Sequence, residues 1–237
     1  MPSEKREFFH IDIPAKLDID QVVRRSRLRN NNTRLEDITR ELAEKAAAIA
    51  RPKAIYQVSP ASILDSTTVA VNGVVFTSKI LSKLFANLET VYPFVTTIGH
   101  ELDELPIPSR DMLRNFSLDA IKTVVLVNAV DYLAEYLKKK YDIPYAALMN
   151  PGEIQDWPIT QQKPLFELFG TEAQKIGVSL TTGGAMKPIK SRSGIIFPND
   201  TGFLSCRFCT QFRCPGRRAA YDPQLVKEYL GTEANSS

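Results

Sequence analysis

The sequence predicts an α+β fold with an antiparallel or mixed sheet, and three observations carry that prediction. STTVAVNGVVF (66–76) sets two β-rich runs around Asn72-Gly73, the pair preferred by a type I′ hairpin turn. One long stretch, 109–140, repeats apolar residues at three and four, the period of a helix with one buried face. The other strand and helix signals are mixed, without the regular strand–helix alternation that builds a parallel sheet.

The elements follow in chain order. EFFHIDI (7–13) alternates as a strand. Asp18 and Asp20 are placed to cap a short helix to about Arg29, which the polar run Asn30-Asn31-Asn32-Thr33 breaks. Arg24, Arg25, Arg27 and Arg29 read as its solvated face, with an anion or partner patch as the alternative. Thr33 with Glu36 makes a capping box, and LEDITRELAEKAAAIA continues as a helix closed by Pro52. KAIYQVS (53–59) is the next strand. After the hairpin, Thr77 or Ser78 caps a helix to about Asn87, and TVYPFVTTIG (90–99) is a buried strand ending at Gly99. Ser109 caps the long helix. Leu113, Phe116, Ile121, Val124, Val125, Asn128, Leu133 and Leu137 form its ladder at three and four, and Lys138, Lys139 and Lys140 complement the negative end of its dipole. MNPGEIQDWPIT (149–160) is a loop, and the following helix stops near Gly170 or Gly177. Two short strands joined by a glycine-rich bend fill 178–197, and a last helix of about 222–230 opens on Asp222-Pro223. This divides the chain into an N-terminal helical segment (1–50) packed on the main domain, a body (51–200), and a cysteine loop with a C-terminal helix (201–237).

At 237 residues, 43% apolar and 24% charged, the chain is large enough for a sizeable core and reads as globular rather than disordered. A net charge of +3 without a long Lys/Arg tract gives no footprint for nucleic acid. No apolar run reaches the roughly 18 residues of a membrane span. The start, MPSEKREFFHIDIP, has no apolar signal core, which predicts a reduced, cytoplasmic setting.

All three cysteines, Cys206, Cys209 and Cys214, fall within nine residues, after 205 residues without one. Cys-x-x-Cys lets a loop aim two sulfurs at one centre, as zinc knuckles and iron–sulfur sites do. Phe208 and Phe212 can shield such a centre, and Arg213, Arg217 and Arg218 offset thiolate charge. The pattern favours a metal or cluster over a redox dithiol, a disulfide with an odd thiol, or buried packing. A closed zinc site or a cubane cluster takes four ligands; His10 and His100 are the histidines on hand to complete the set.

Three further loops can carry chemistry. Asn150-Pro151-Gly152-Glu153 is either a plain turn or a ligand turn, since glycine permits close backbone approach. In Thr181-Thr182-Gly183-Gly184-Ala185-Met186-Lys187-Pro188-Ile189-Lys190-Ser191, Lys190 and Ser191 are suited to an anion, though the phosphate-loop spacing is absent. His100, after Gly99, is an acid/base or ligand candidate, with a merely solvated imidazole as the plainer reading. Trp157 is a core anchor or a ligand platform.

Taken together, PFVTTIGHELDE (93–104), LDAIKTVVLVNAVDYLAE (118–135), NPGEIQDWPITQQKPLFELF (150–169) and IGVSLTTGGAMKPIKSRSGIIF (176–197) resemble the activation (reactivation) domain of cobalamin-dependent methionine synthase and its stand-alone relatives. Those relatives carry a Ser-Pro-Gly-Tyr-Gly-Asp-Trp-Pro loop, then Met-x-Pro-x-Lys-Ser-x-Ser-Gly, matched here by Met186, Pro188, Lys190, Ser191, Ser193 and Gly194. A cysteine-rich tail is also found among them. The resemblance covers roughly 50–218. It implies a twisted, mainly antiparallel sheet with packed helices. It also implies S-adenosylmethionine as a ligand, with Pro151, Gly152, Glu153, Met186, Lys190, Ser191, Ser193 and Gly194 as cofactor-binding positions. Cobalamin would sit on a partner corrinoid-binding protein. The chain departs from the family's Arg-x-x-Pro-Gly-Tyr at Leu148 and Glu153, and one of two aromatics is lost at Ile196-Phe197. Those departures remove a guanidinium able to grip a carboxylate, which weakens the implied adenosylmethionine site.

Three functions follow as expectations. The first is a corrinoid accessory protein in methyl transfer or reductive reactivation, its Cys206–Cys209–Cys214 iron–sulfur cluster or zinc serving as electron relay in the cluster case. The second is a stand-alone adenosylmethionine-binding activation subunit of a split methionine synthase. The third is a zinc-stapled binding module.

Overall fold

The computed structural model of the chain describes residues 7–25, 33–214 and 216–231. β1 (Phe8–Asp12) leads to α1 (Ile19–Arg25), where Asp18 accepts from the amides of Asp20 and Gln21. The Asn30–Asn32 break lies outside the described residues, as do Arg27, Arg29 and the side chains of Arg24 and Arg25. α2 (Thr33–Ile49) buries Leu35, Thr39, Leu42, Ala43 and Ala46, one stripe at helical spacing.

β2 (Lys53–Gln57) passes Val58 and continues as β3 (Ser59–Ile63), a strand that the sequence pattern hides because Pro60 sits inside it. Proline lacks only the donor; its carbonyl still accepts from the Asn72 amide at 2.9 Å. β4 (Thr68–Val71) and β5 (Val74–Thr77) form the expected hairpin, with φ of 46° at Asn72 and 80° at Gly73. Ser78 caps α3 (Lys79–Leu84), its Oγ accepting from the Leu81 amide at 3.0 Å; the helix stops short of Asn87. β6 (Thr90–Thr97) is the buried strand. α4 (Met112–Lys140) is capped by Asp111, whose carboxylate accepts from the Arg114 amide at 3.1 Å, and not by Ser109.

β7 (Ala146–Met149) was not legible; four residues are too few for a period. α5 (Gln162–Phe169) and α6 (Glu172–Lys175) end at both expected glycines, Gly170 and Gly177, which hold φ of 55° and 79°. The 178–197 segment forms three strands, not two: β8 (Ser179–Leu180), β9 (Met186–Lys187) and β10 (Ser191–Pro198). α7 (Pro223–Leu230) opens on Asp222 as expected.

Among the described residues every ladder is antiparallel. β2 and β10 flank β6 on opposite edges, β1 lies outside β2, β7 lies outside β10, and β3 leads from the start of β6 to β4 and β5. β8 and β9 pair apart from this sheet. Strand alternation divides the core. Ala54, Tyr56, Phe94 and Ile196 meet Ala129, Val130, Leu133 and Leu137 of α4. Ile55, Val95, Ile195 and Phe197 meet Trp157, Leu165 and Phe169, and the tail adds Phe203, Phe208 and Val226 to this cluster. α1 and α2 pack on the first half of α4 through Val22, Leu42, Ala46, Ile121 and Val124.

At the end of α4, Lys140 does more than complement a dipole. Its Nζ donates to the Tyr56 hydroxyl at 2.9 Å and stands 4.3 Å from the Phe9 ring centre, a cation held on aromatic faces. Burial pushes the Tyr56 hydroxyl up to about 12. Among the described residues no helix is long and apolar enough to cross a membrane.

Candidate functional site

The register of β7 against β10, Met149 opposite Ile195 and Leu148 opposite Ile196, sets the 150–153 turn beside Gly194 and Ser193. Gly194 admits no side chain: a Cβ there would run into Asn150 Oδ1 and the Met149 carbonyl and come within 3.1 Å of the Phe94 ring. Gly152, at φ 86°, donates its amide to the Trp157 carbonyl at 2.8 Å and closes the loop on itself. Trp157 is fully buried and meets Phe76 edge to face at 6.0 Å, so it is a core anchor and not a ligand platform. Asp156 beside it bonds the Ser78 hydroxyl and the amides of Lys79 (3.2 Å) and Ile80 (3.0 Å), docking the loop on the start of α3.

This edge holds buried polar atoms with no partner among the described residues. They are both ends of the Asn150 amide, Ser193 Oγ, Thr96 Oγ1 and Glu153 Oε2. Asn150 is 4% exposed, Ser193 2% and Thr96 fully buried. An unmade bond at such depth costs about 1–3 kcal/mol, so these atoms call for partners from outside the chain, water or a ligand. The other Glu153 oxygen pairs with Arg192. Pairing of Arg192 with Thr96 and of Gly194 with Phe94 puts those four on the α4 face of the sheet; Ser191 and Ser193 point to the other.

Pro151, Gly152, Glu153, Ser193 and Gly194 are thus brought to one edge. Lys190 is drawn to α4 instead, 2.9 Å from both Thr123 Oγ1 and Asp119 Oδ1. Ser191 is buried and bonds Thr97 Oγ1 at 3.0 Å. Met186 pairs with Leu180 and packs against the core cluster of Trp157. Sequence reasoning missed Arg192 and Thr96. The signal was present only as alternation along β10, which has meaning once its partner strand is known.

The cysteine loop is built locally. Ser205–Phe208 forms a 3₁₀ turn, and Cys206, Cys209 and Cys214 are free, half-buried thiols. Phe208 is buried against Phe203 (5.5 Å) and Tyr229 (5.2 Å), whereas Phe212 is 75% exposed and shields nothing. Arg217 holds the loop together. Its Nη1 donates to the carbonyls of Cys206 (3.0 Å) and Ala219 (2.9 Å), and its Nη2 to those of Cys209 (2.8 Å) and Gln211 (2.9 Å). Its Nε is buried with no partner among the described residues. Arg207 pairs with Asp222 at 2.6 Å and Arg218 with Asp131 at 3.1 Å, fastening the loop to α7 and α4. Amides that stabilise α7, first that of Leu225, then the Arg207 guanidinium, hold the Asp222 carboxyl below its ordinary value.

Two sulfurs accept backbone N–H groups, Cys209 Sγ from Gln211 and Cys206 Sγ from Arg218, each at 3.4 Å. Among the described residues no group of three or more His, Cys, Asp or Glu side chains is arranged to hold a metal ion; Pro215, next to Cys214, lies outside them. His10 pairs with Glu172 at 3.3 Å, and His100 stands against Gly177, its Nε2 3.6 Å from where a Cβ there would sit. Neither joins the cysteines.

No protein-family model matches the chain, and no curated protein matches it by sequence. Among solved structures it is similar to a crystal structure of the MetH reactivation domain bound to AdoHcy. The TM-score is 0.57 at 14% identity, over 85% of this chain and 82% of that chain. At that identity the likeness establishes the fold, helices packed on a mainly antiparallel sheet.

Proposed function

We propose that this chain is an accessory protein that docks on a corrinoid-carrying protein and serves methyl transfer or reductive reactivation. The likeness in fold to the MetH reactivation domain, running over 85% of the chain, is the observation that carries this reading. Cys206, Cys209 and Cys214 hold an iron–sulfur cluster or zinc. The two N–H···Sγ bonds support this reading, because amide donors to ligating sulfurs orient them and tune a cluster. A cluster bound there would supply single electrons; zinc would act as a staple. Purification under anaerobic conditions with metal analysis tests this. Brown protein that bleaches with dithionite supports the electron relay, and colourless protein with stoichiometric zinc supports the staple. Metal-free protein removes the site. Cys209→Ser is expected to abolish bound metal while the 51–200 body keeps its fold.

A second reading, a stand-alone S-adenosyl-binding activation subunit, is favoured by the Asn150 amide and Glu153 Oε2 beside the β7–β10 edge, buried with no partner among the described residues. AdoHcy titration by calorimetry decides it: measurable heat supports this subunit, and silence at millimolar ligand leaves the first reading alone.

A further inference from the structure

Arg192 and Glu153 come from elements 39 residues apart and meet beside Asn150 and Thr96. Their side chains are only 28% and 25% exposed. An ion pair shielded from bulk water is favoured when its buried donors and acceptors are filled. Here one is not. The Arg192 fork donates to Glu153 Oε1, while Glu153 Oε2 is buried with no partner among the described residues. Asn150, nine-tenths buried and more, adds an amide with both ends unbonded.

We propose that Arg192, Glu153 and Asn150 form a recognition site for the zwitterionic α-amino-acid end of an S-adenosyl ligand. The guanidinium takes the α-carboxylate, for which its planar fork is matched. Glu153 Oε2 takes the α-ammonium, and Asn150, donor and acceptor at once, bonds either group. The charges are complementary: a protein cation–anion pair meets a ligand anion–cation pair, and neither side leaves a net charge desolvated. A simple anion is repelled by Glu153 and a simple cation by Arg192, so the pair selects the zwitterion. This inference rests on the S-adenosyl reading above.

Calorimetry on the full chain separates the two. The probes are AdoHcy and 5′-methylthioadenosine, which keeps the thioadenosine and lacks the amino-acid end. Wild-type protein is expected to bind AdoHcy at least about tenfold more tightly than 5′-methylthioadenosine, the size of one lost charge-assisted bond. Arg192→Ala and Glu153→Gln are each expected to weaken AdoHcy by a similar factor and to leave 5′-methylthioadenosine unchanged. Wild-type protein that binds both probes equally overturns the inference while keeping the S-adenosyl reading, and does so even if neither variant folds. Variants that bind AdoHcy as the wild type does have the same consequence. Wild-type protein that binds neither probe overturns both.

Discussion

The β7–β10 edge and the cysteine loop both collect polar groups, but they leave different needs open. At the edge, β7 and β10 are laddered as far as Met149 and Ile195, and just beyond them side chains are stranded: Asn150, Ser193, Thr96 and Glu153 keep atoms at depth with no partner among the described residues. In the loop, the backbone is irregular and its carbonyls are gathered by the single side chain of Arg217. What the loop leaves open is valence, three half-buried thiols within nine residues. The contrast teaches that a site assembled from distant strands is recognised by unmet hydrogen bonds. A site assembled from neighbours in the chain is recognised by its residue types.

Four changes break or sharpen this contrast. The largest effect is expected for Trp157→Ala. Removing a fully buried indole costs about 3–5 kcal/mol and frees the far end of the 150–157 loop, read as a lowered urea midpoint. Loss under about 1 kcal/mol would mean the loop is not anchored there. Gly194→Ala comes next, at about 1–3 kcal/mol, because its methyl group meets the Met149 carbonyl, which cannot retreat without parting β7 from β10. Wild-type stability in that variant would refute the close approach of the two strands.

Arg217→Ala acts on the other region. It should leave the cooperative melt of the body nearly unchanged while Cys206 and Cys209 react faster with iodoacetamide, since four carbonyl bonds that order the loop are gone. Unaltered thiol reactivity would count against the stapling role. The smallest effect concerns acid. The Asp222 carboxyl lies below its ordinary 3.8 in the folded chain. Its contribution to stability is therefore complete above 3.8 and is lost as pH falls through the lower folded value. Melting temperatures of wild-type and Asp222→Ala protein should differ at neutral pH and converge in acid; parallel curves would dissociate the tail from this carboxylate.

Legibility followed the range of the interaction. The hairpin at Asn72-Gly73, the Ser78 cap and the Asp222-Pro223 start were readable because each is satisfied within a few residues. β3 escaped because Pro60 mimics a breaker, and β7 because four residues carry no period. The family-like motifs drew in Gly152, Ser193 and Gly194, but not Arg192, which meets its partner Glu153 on another element.

Sequence alone determined where this chain turns, caps and gathers its thiols, because those outcomes depend on local dihedral preference and residue chemistry. The tertiary structure alone decided that β7 lies against β10, that Lys190 and Ser191 spend their bonds inside the protein, and that Arg192 meets Glu153. Those outcomes depend on strand register, which is set by how two sheet faces bury their apolar residues and which no single segment encodes.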